Sequence, residues 1–317
     1  MDGQYKLLIM AIPAQSSAMQ DPSGSRALSA QQIDAYHRDG LLIIRQLFSA
    51  DELAPLREAY RQDPTINGHV YGMEDSDGQG HPFCTWTDLG DDIVGMIPRM
   101  ARMIAITEAL LGEPCYHWHS KFSVKTSSCK ARVDWHQDFG SWYDDGVLLP
   151  HMLTVGIAIE PANKANGCVQ FVPGSQQMGR IDHPAGANGP KAFAARVERA
   201  RQQLGVLHAE MDVGDAVFFH CNTLHGSGLN ETDTQRVMIF SSYNAVSNAP
   251  FADIRGDNKE GAYMGINDQQ RAFRPIVELA DDVLSNRSFR SAFSHSAFTE
   301  PNWNLSGDYC RAIKLKQ

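Results

Sequence analysis

His136-Gln137-Asp138 sits inside the run Val133-Asp134-Trp135-His136-Gln137-Asp138-Phe139, so an imidazole and a carboxylate lie two residues apart in strand-like surroundings. Side chains at i and i+2 of a strand emerge on the same face. If one further histidine folds back to meet them, the three make a two-histidine, one-carboxylate triad. Such a triad holds Fe(II) on one face and leaves the opposite face open for oxygen chemistry. The tripeptide alone carries little, because 12 histidines and 37 acidic residues also produce such spacings by chance or as surface ion pairs.

The downstream segment supplies the missing groups. Gly214-Asp215 leads into the apolar run Ala216-Val217-Phe218-Phe219, followed by His220 and by His225 in the loop His225-Gly226-Ser227-Gly228. Either histidine could close the triad. Arg236 then opens a second apolar run, Val237-Met238-Ile239-Phe240. A guanidinium offers a carboxylate a planar pair of donors and stays charged when buried, which suits an anionic cosubstrate. The competing reading is a surface arginine at a strand start.

The order of these motifs resembles the phytanoyl-CoA dioxygenase family of Fe(II)/2-oxoglutarate oxygenases. It runs His136-x-Asp138, Asn166-Gly167-Cys168 with Pro173-Gly174-Ser175, Gly214-Asp215, His225-Gly226-Ser227-Gly228 and Arg236, over roughly residues 30 to 245. The stretch from Trp135 to Gly146 is similar to the ectoine-hydroxylase branch. The resemblance implies a mainly β fold, a double-stranded β-helix (jelly roll, cupin-like) buttressed by N-terminal helices. It implies Fe(II), 2-oxoglutarate as cosubstrate and O2, with hydroxylation of a C–H bond in a small-molecule metabolite and release of succinate and CO2.

The same resemblance implies His136, Asp138 and His225 as the catalytic metal ligands. His225 is preferred to His220 because the family's ligand directly precedes Gly-Ser-Gly. Arg236 is then the donor to the distal carboxylate of 2-oxoglutarate, with the Ser227 hydroxyl beside it and Thr154 or Ser123 at the cosubstrate's other end. Relatives acting on small zwitterions often carry Gln-x-Lys-x-Asn on the strand before the first ligand, where this chain has His119-Ser120-Lys121-Phe122-Ser123 and keeps only the lysine. Gln176 follows Pro173-Gly174-Ser175 where a histidine is common. The retained Asp138 argues for hydroxylation over halogenation, since iron halogenases replace this carboxylate by Gly or Ala.

Trp135, Phe139, Trp142 and Tyr143 crowd the metal motif. They read either as core or as an aromatic wall around an apolar or cationic substrate. Lys121, Arg180 and His183 are candidates for an anionic substrate group. The substrate is a small polar or zwitterionic compound or a natural-product intermediate. Two rival classes are a cupin-type metalloenzyme without 2-oxoglutarate, which would leave Arg236 without a carboxylate, and a noncatalytic jelly-roll binding protein, against which the intact triad argues.

Composition narrows the partners. With 28 basic against 37 acidic residues, the formal charge of −9 lacks the electrostatic footprint of a nucleic-acid binder. The six cysteines form no Cys-x-x-Cys pair and read as reduced thiols of a cytoplasmic protein. The apolar stretch from Leu7 to Ala14 is too short to span a bilayer and lacks a basic flank, so no membrane partner is expected, and a homo-oligomer is compatible. Residues 1–27 read as a terminal arm and connector, and 28–317 as a single oxygenase domain.

The elements that must position these groups follow from local pattern. Ser29-Ala30-Gln31-Gln32 and Ser49-Ala50-Asp51-Glu52 fit the capping box and predict two helix starts, with a strand over Leu41-Ile44 between them. A third helix is expected from Asp91 to Leu111, bent at Pro98. From Cys115 to Lys125, period-2 alternation places Tyr116, Trp118, Phe122 and Val124 on one face, and His117, His119, Lys121, Ser123 and Lys125 on the other. Further strands are expected at Met152 to Ile159, Cys168 to Val172, Ala216 to His220 and Val237 to Tyr243. A surface helix over 190–204 lies in a long, lid-like insertion, and the segment from Phe251 onward packs back on the core.

Overall fold

Both capping boxes form. The Ser29 and Ser49 hydroxyls accept from the Gln32 and Glu52 amides, and those side chains reach back to the serine N–H groups. They open α1 (Ala30–Asp39) and α2 (Ala50–Gln62), flanking β1 (Leu41–Ile44). The computed structural model describes residues 27–86, 89–127, 129–183, 192–250 and 274–284, and the backbone of 312–313. The terminal arm and most of the segment after Phe251 therefore lie outside the described residues.

After α3 (Pro64–Gly68), β2 (Tyr71–Glu74) and β3 (Gly80–Trp86), the expected long helix is broken. It becomes α4 (Ile93–Met96), a 3-10 turn over Ile97–Arg99 and α5 (Ala101–Leu111). Pro98 sits within the turn, and Met100 is extended at ψ 136°. The break is used: Met100 bridges Leu279, and the Leu279 amide donates to the Arg99 carbonyl.

The rest of the chain supplies β4 (Cys115–Lys125), β5 (Val133–His136), α6 (Asp138–Trp142), β6 (Met152–Ala158), β7 (Val169–Phe171), α7 (Ala194–Leu204), β8 (Leu207–His208), β9 (Ala216–His220), β10 (His225–Ser227), β11 (Arg236–Ala245) and β12 (Ala312–Ile313). Two antiparallel sheets result, β1-β9-β6-β11-β4-β3-β2-β12 and β5-β10-β7-β8. This is the double-stranded β-helix expected from the sequence. The helix over 190–204 is present as α7, which buries Val197 and Ala200.

Strand periodicity sorts the side chains between two cores. Ala216 and Phe218 of β9, and Val237 and Ile239 of β11, pack toward the helices with Phe48, Leu53 and Ile104. Val217, Phe219, Met238 and Phe240 face the smaller sheet and meet Phe171. Arg236 therefore shares its inward face with Met238 and Phe240 rather than solvent, and is 1% exposed. The Gly214-Asp215 turn docks β9 onto β1: Gly214 has φ +92°, and a side chain there would strike the Phe48 carbonyl. Asp215 accepts from the Gln46 amide and pairs with Arg45.

The alternation expected along β4 holds only for its second half. Ser242 of β11 pairs with His119, but Tyr243 pairs with His117, so Trp118 is bulged. A bulge swaps the faces beyond it. Tyr116 and Trp118 consequently join Phe139 and Trp142 on the inner side, while His117 turns outward to the Ser120 hydroxyl and the Tyr243 ring.

Lys125 ends β4 fully buried, opposite Arg236 in register, its amine donating to the Ala131 carbonyl. Burial and the neighbouring Arg236 push the amine down to about 7. An unfolded lysine titrates near 10.4, so below about pH 7 the folded state carries the full penalty of a buried ammonium, relieved as pH rises toward 10. Lys125→Met is expected to be more stable than the wild type at pH 6 by ~1–3 kcal/mol, with the gap narrowing toward pH 9–10. Denaturant unfolding at both pH values checks this, and a pH-independent gap rules it out.

Candidate metal centre and cosubstrate cavity

β5 ends at His136 and α6 begins at Asp138, so the two side chains do not share one strand as the spacing suggested. They still converge because Gln137 between them is extended (φ −111°, ψ 135°). The Gln137 side chain points away and anchors this junction. Its amide donates to the Gly179 and Asn222 carbonyls, and its oxygen accepts from the Ile181 amide. β10 brings His225 directly opposite His136, with ring centroids 4.1 Å apart. Gly226 permits this approach, since a Cβ there would lie 2.8 Å from the Val133 carbonyl oxygen.

The tautomers follow from the partners. His136 Nδ1 lies 2.8 Å from the Asp134 carbonyl and His225 Nδ1 lies 2.9 Å from the Thr223 carbonyl. A carbonyl only accepts, so each Nδ1 carries the proton and each Nε2 keeps a lone pair. Those Nε2 atoms lie 3.6 and 3.7 Å from Asp138 Oδ1. Burial opposes the Asp138 charge, which Lys121 and the hydroxyl bond from Thr154 favour. Burial and the facing His136 push His225 down to about 3. Two imidazoles and a carboxylate within 4.8 Å of one another are a donor set that fits Fe(II), and the only such group of three among the described residues. His220 is directed elsewhere, its Nδ1 accepting from the Asn222 amide.

Thr154, expected at the cosubstrate, donates instead to Asp138 Oδ2 at 3.0 Å and lies 2.9 Å from the Ser242 hydroxyl. It fixes one carboxylate oxygen while the other faces the histidines. Outer partners of this kind are worth about 10- to 100-fold in metal affinity or activity. Thr154→Val should lower Fe(II) affinity by about that range with an unchanged melting temperature. Metal titration reads it directly, and wild-type affinity in the variant would show the hydroxyl to be idle.

The triad opens on a cavity of about 730 Å³, its mouth included, between the two sheets. Arg236, Ser227, Ser123, Lys121, His119, Ser141 and Trp142 line it with Phe83, Phe219 and Phe240. The Arg236 guanidinium donates to the Ser123 hydroxyl at 2.9 Å and to the Gly167 carbonyl at 3.3 Å. Its Nε and the Ser227 Oγ are buried with no hydrogen-bond partner, and no carboxylate pairs with Arg236 among the described residues. Burial pulls the guanidinium down only to about 10, so it is charged at neutral pH. A buried cation beside orphaned donors fits an incoming carboxylate such as the distal end of 2-oxoglutarate. Ser123 thus lies at the Arg236 end, not at the opposite end where the sequence placed it.

Of the other expected substrate residues, the cavity gathers Lys121, 5.4 Å from the Phe83 ring, and Trp142, which meets Trp118 and His119 edge-on. Phe139 is buried behind Trp142. Trp135 turns to α7, where Arg201 lies over its ring. Tyr143 is 43% exposed and carries Arg180 on its face, with Arg180 also pairing with Asp144 and Asp182. His183 donates from Nδ1 to the Ile181 carbonyl and accepts the Gln137 amide at Nε2, so both ring nitrogens are occupied. Sequence reasoning missed Gln137, Phe83 and a buried histidine, His81, that touches Ser123. For Gln137 the only signal was its place between the two ligands.

A double-stranded β-helix whose cavity joins a two-histidine, one-carboxylate cluster to a buried arginine defines the class of Fe(II)/2-oxoglutarate oxygenases. The model of one family within it, phytanoyl-CoA dioxygenase (PhyH), matches residues 36–238, and the chain belongs to that family. The ectoine dioxygenase of Bordetella parapertussis is 27% identical over 268 residues, covering 80% of this chain and 87% of the relative. The L-proline trans-4-hydroxylase of Streptomyces griseoviridis is 25% identical over 248 residues, covering 72% and 92%. The structure of EctD from S. alaskensis with 2-oxoglutarate and 5-hydroxyectoine superposes with a TM-score of 0.60 at 22% identity, covering 82% of this chain and 92% of the other.

Proposed function

We propose that the protein hydroxylates a C–H bond of a small polar or zwitterionic metabolite or a natural-product intermediate, as an Fe(II)/2-oxoglutarate-dependent dioxygenase releasing succinate and CO2. The observation that carries this is the buried Arg236 guanidinium, without a carboxylate partner among the described residues, in the same cavity as the triad. In this reading His136, Asp138 and His225 hold the iron, which together with 2-oxoglutarate and O2 supplies the oxidation of the C–H bond. Arg236, Ser123 and Ser227 bind and orient the distal carboxylate. Phe219 and Phe240 exclude water around the cosubstrate, and Trp142 with Phe83 forms the apolar side of the substrate space. Lys121 is the cation left to meet an anionic substrate group, as Arg236 serves the cosubstrate. Arg180 and His183, engaged with neighbouring loops, serve the insertion rather than the substrate.

The catalytic domain spans 28–317 with the 1–27 arm outside it. The partner is a small molecule rather than nucleic acid or a membrane, and the location cytoplasmic. In support, the five cysteines among the described residues are free and buried, and no helix among these residues is long and apolar enough to cross a membrane. The relatives' names point to cyclic amino acids as the first substrates to try, ectoine and L-proline among them. Succinate release from 2-oxoglutarate across a panel of amino acids, small zwitterions, phosphonates and terpenoid acids tests the reading. At least one substrate should raise succinate well above the uncoupled rate. No 2-oxoglutarate consumption with any of them, in Fe(II)-loaded protein, rejects it.

A further inference from the structure

We infer that His81 is a positioning residue for the cosubstrate: its Nε2–H donates to Ser123 Oγ and thereby leaves the single Ser123 proton to point at the carboxylate held by Arg236. This rests on the reading of Arg236 as the 2-oxoglutarate anchor. His81 comes from β3, is 1% exposed, and lies against the Phe83 ring with centroids 4.5 Å apart. Its Nε2 is 2.9 Å from Ser123 Oγ, and the same oxygen is 2.9 Å from Arg236 Nη2.

The direction of these bonds can be derived. A guanidinium only donates, so Ser123 Oγ accepts from Arg236. The His81 bond could run either way, depending on which ring nitrogen carries the proton. Nδ1 is buried with no partner. As an N–H it would be a desolvated donor without an acceptor, the costly case. As a bare lone pair it costs less, and burial together with the cationic field of Lys125, Arg236 and Lys121 keeps the ring neutral. The proton therefore sits on Nε2. Ser123 Oγ then accepts twice, and its own proton is directed to what remains around it, the cavity that Ser123 lines. With the opposite tautomer that proton would be spent on His81 and only Arg236 would remain as donor.

The test measures 2-oxoglutarate binding by calorimetry on the Mn(II)-loaded protein, alongside steady-state kinetics and melting temperature. His81→Phe keeps the ring packing but removes the donor that fixes the rotation of the Ser123 hydroxyl toward the cavity, and should weaken 2-oxoglutarate binding about five- to tenfold with kcat at saturation unchanged. His81→Gln, whose amide nitrogen takes the place of Nε2, should restore binding to within about twofold. Ser123→Ala should weaken 2-oxoglutarate binding at least as much as His81→Phe, and the double variant should bind little worse than Ser123→Ala, as expected of two residues in one chain of bonds. Wild-type affinity in His81→Phe overturns the inference. So does a His81→Phe protein that loses kcat and melting temperature together and is not rescued by Gln, since that is a structural role. If the wild type itself binds no 2-oxoglutarate, the underlying cosubstrate reading fails instead.

Discussion

Asp138→Ala is expected to reduce 2-oxoglutarate-dependent succinate formation to the background of metal-free protein, and His136→Ala to do the same. Asp138 supplies the only carboxylate in the donor set, and its loss leaves two imidazoles whose Nε2 atoms have no anion between them. Loss of a mere outer partner lowers metal affinity by about 10- to 100-fold, and loss of a ligand should exceed that range. The variants should remain folded, because each Nδ1 bond is made to the local backbone rather than to another triad member. Metal titration and succinate assays together check this. Turnover above about a tenth of the wild-type rate in either variant would break the assignment.

The sequence made this centre legible because its members are punctuated by local signals. His136 and Asp138 lie on one short segment, and His225 is flanked by the glycine that lets β10 press against β5. The capping boxes at Ser29 and Ser49 and the alternating runs of β9 and β11 are equally local, and they form as expected. What escaped depends on the partner strand. The bulge at Trp118 is a mismatch between β4 and β11 that neither strand shows alone, yet it decides whether Tyr116 or His117 joins Phe139 and Trp142. The break at Met100 answers to Leu279, nearly 180 residues away. Thr154 and Ser123 line the cavity, but their partners, Asp138 and Arg236, are set by sheet register. The aromatic run from Trp135 to Tyr143 divided among α7, the core, the cavity and the surface because a strand, a tight turn and a five-residue helix send successive side chains in different directions.

Arg236→Met should separate cosubstrate recognition from folding, with effects of opposite sign. In the free protein the guanidinium is buried, held by Ser123 and the Gly167 carbonyl, with Nε unpartnered and Lys125 beside it in register. A buried cation without its anion is a liability, so a volume-matched methionine should leave the melting temperature without 2-oxoglutarate the same or raise it. With cosubstrate the order reverses. A ligand at about 100 times its Kd stabilises a folded protein by about 2.7 kcal/mol, and the wild type should show this shift while Arg236→Met does not at the same concentration. The 2-oxoglutarate requirement should rise at least about tenfold, equivalent to ~1.4 kcal/mol, and more if both prongs of the guanidinium engage. Arg236→Lys should not rescue it, because a single ammonium cannot serve Ser123 and a carboxylate in the same planar geometry. A 2-oxoglutarate-independent metalloenzyme would give a different pattern, with turnover intact in Arg236→Met and no thermal shift from 2-oxoglutarate in either protein. The two melting curves, with and without cosubstrate, therefore decide between the readings before any substrate is known.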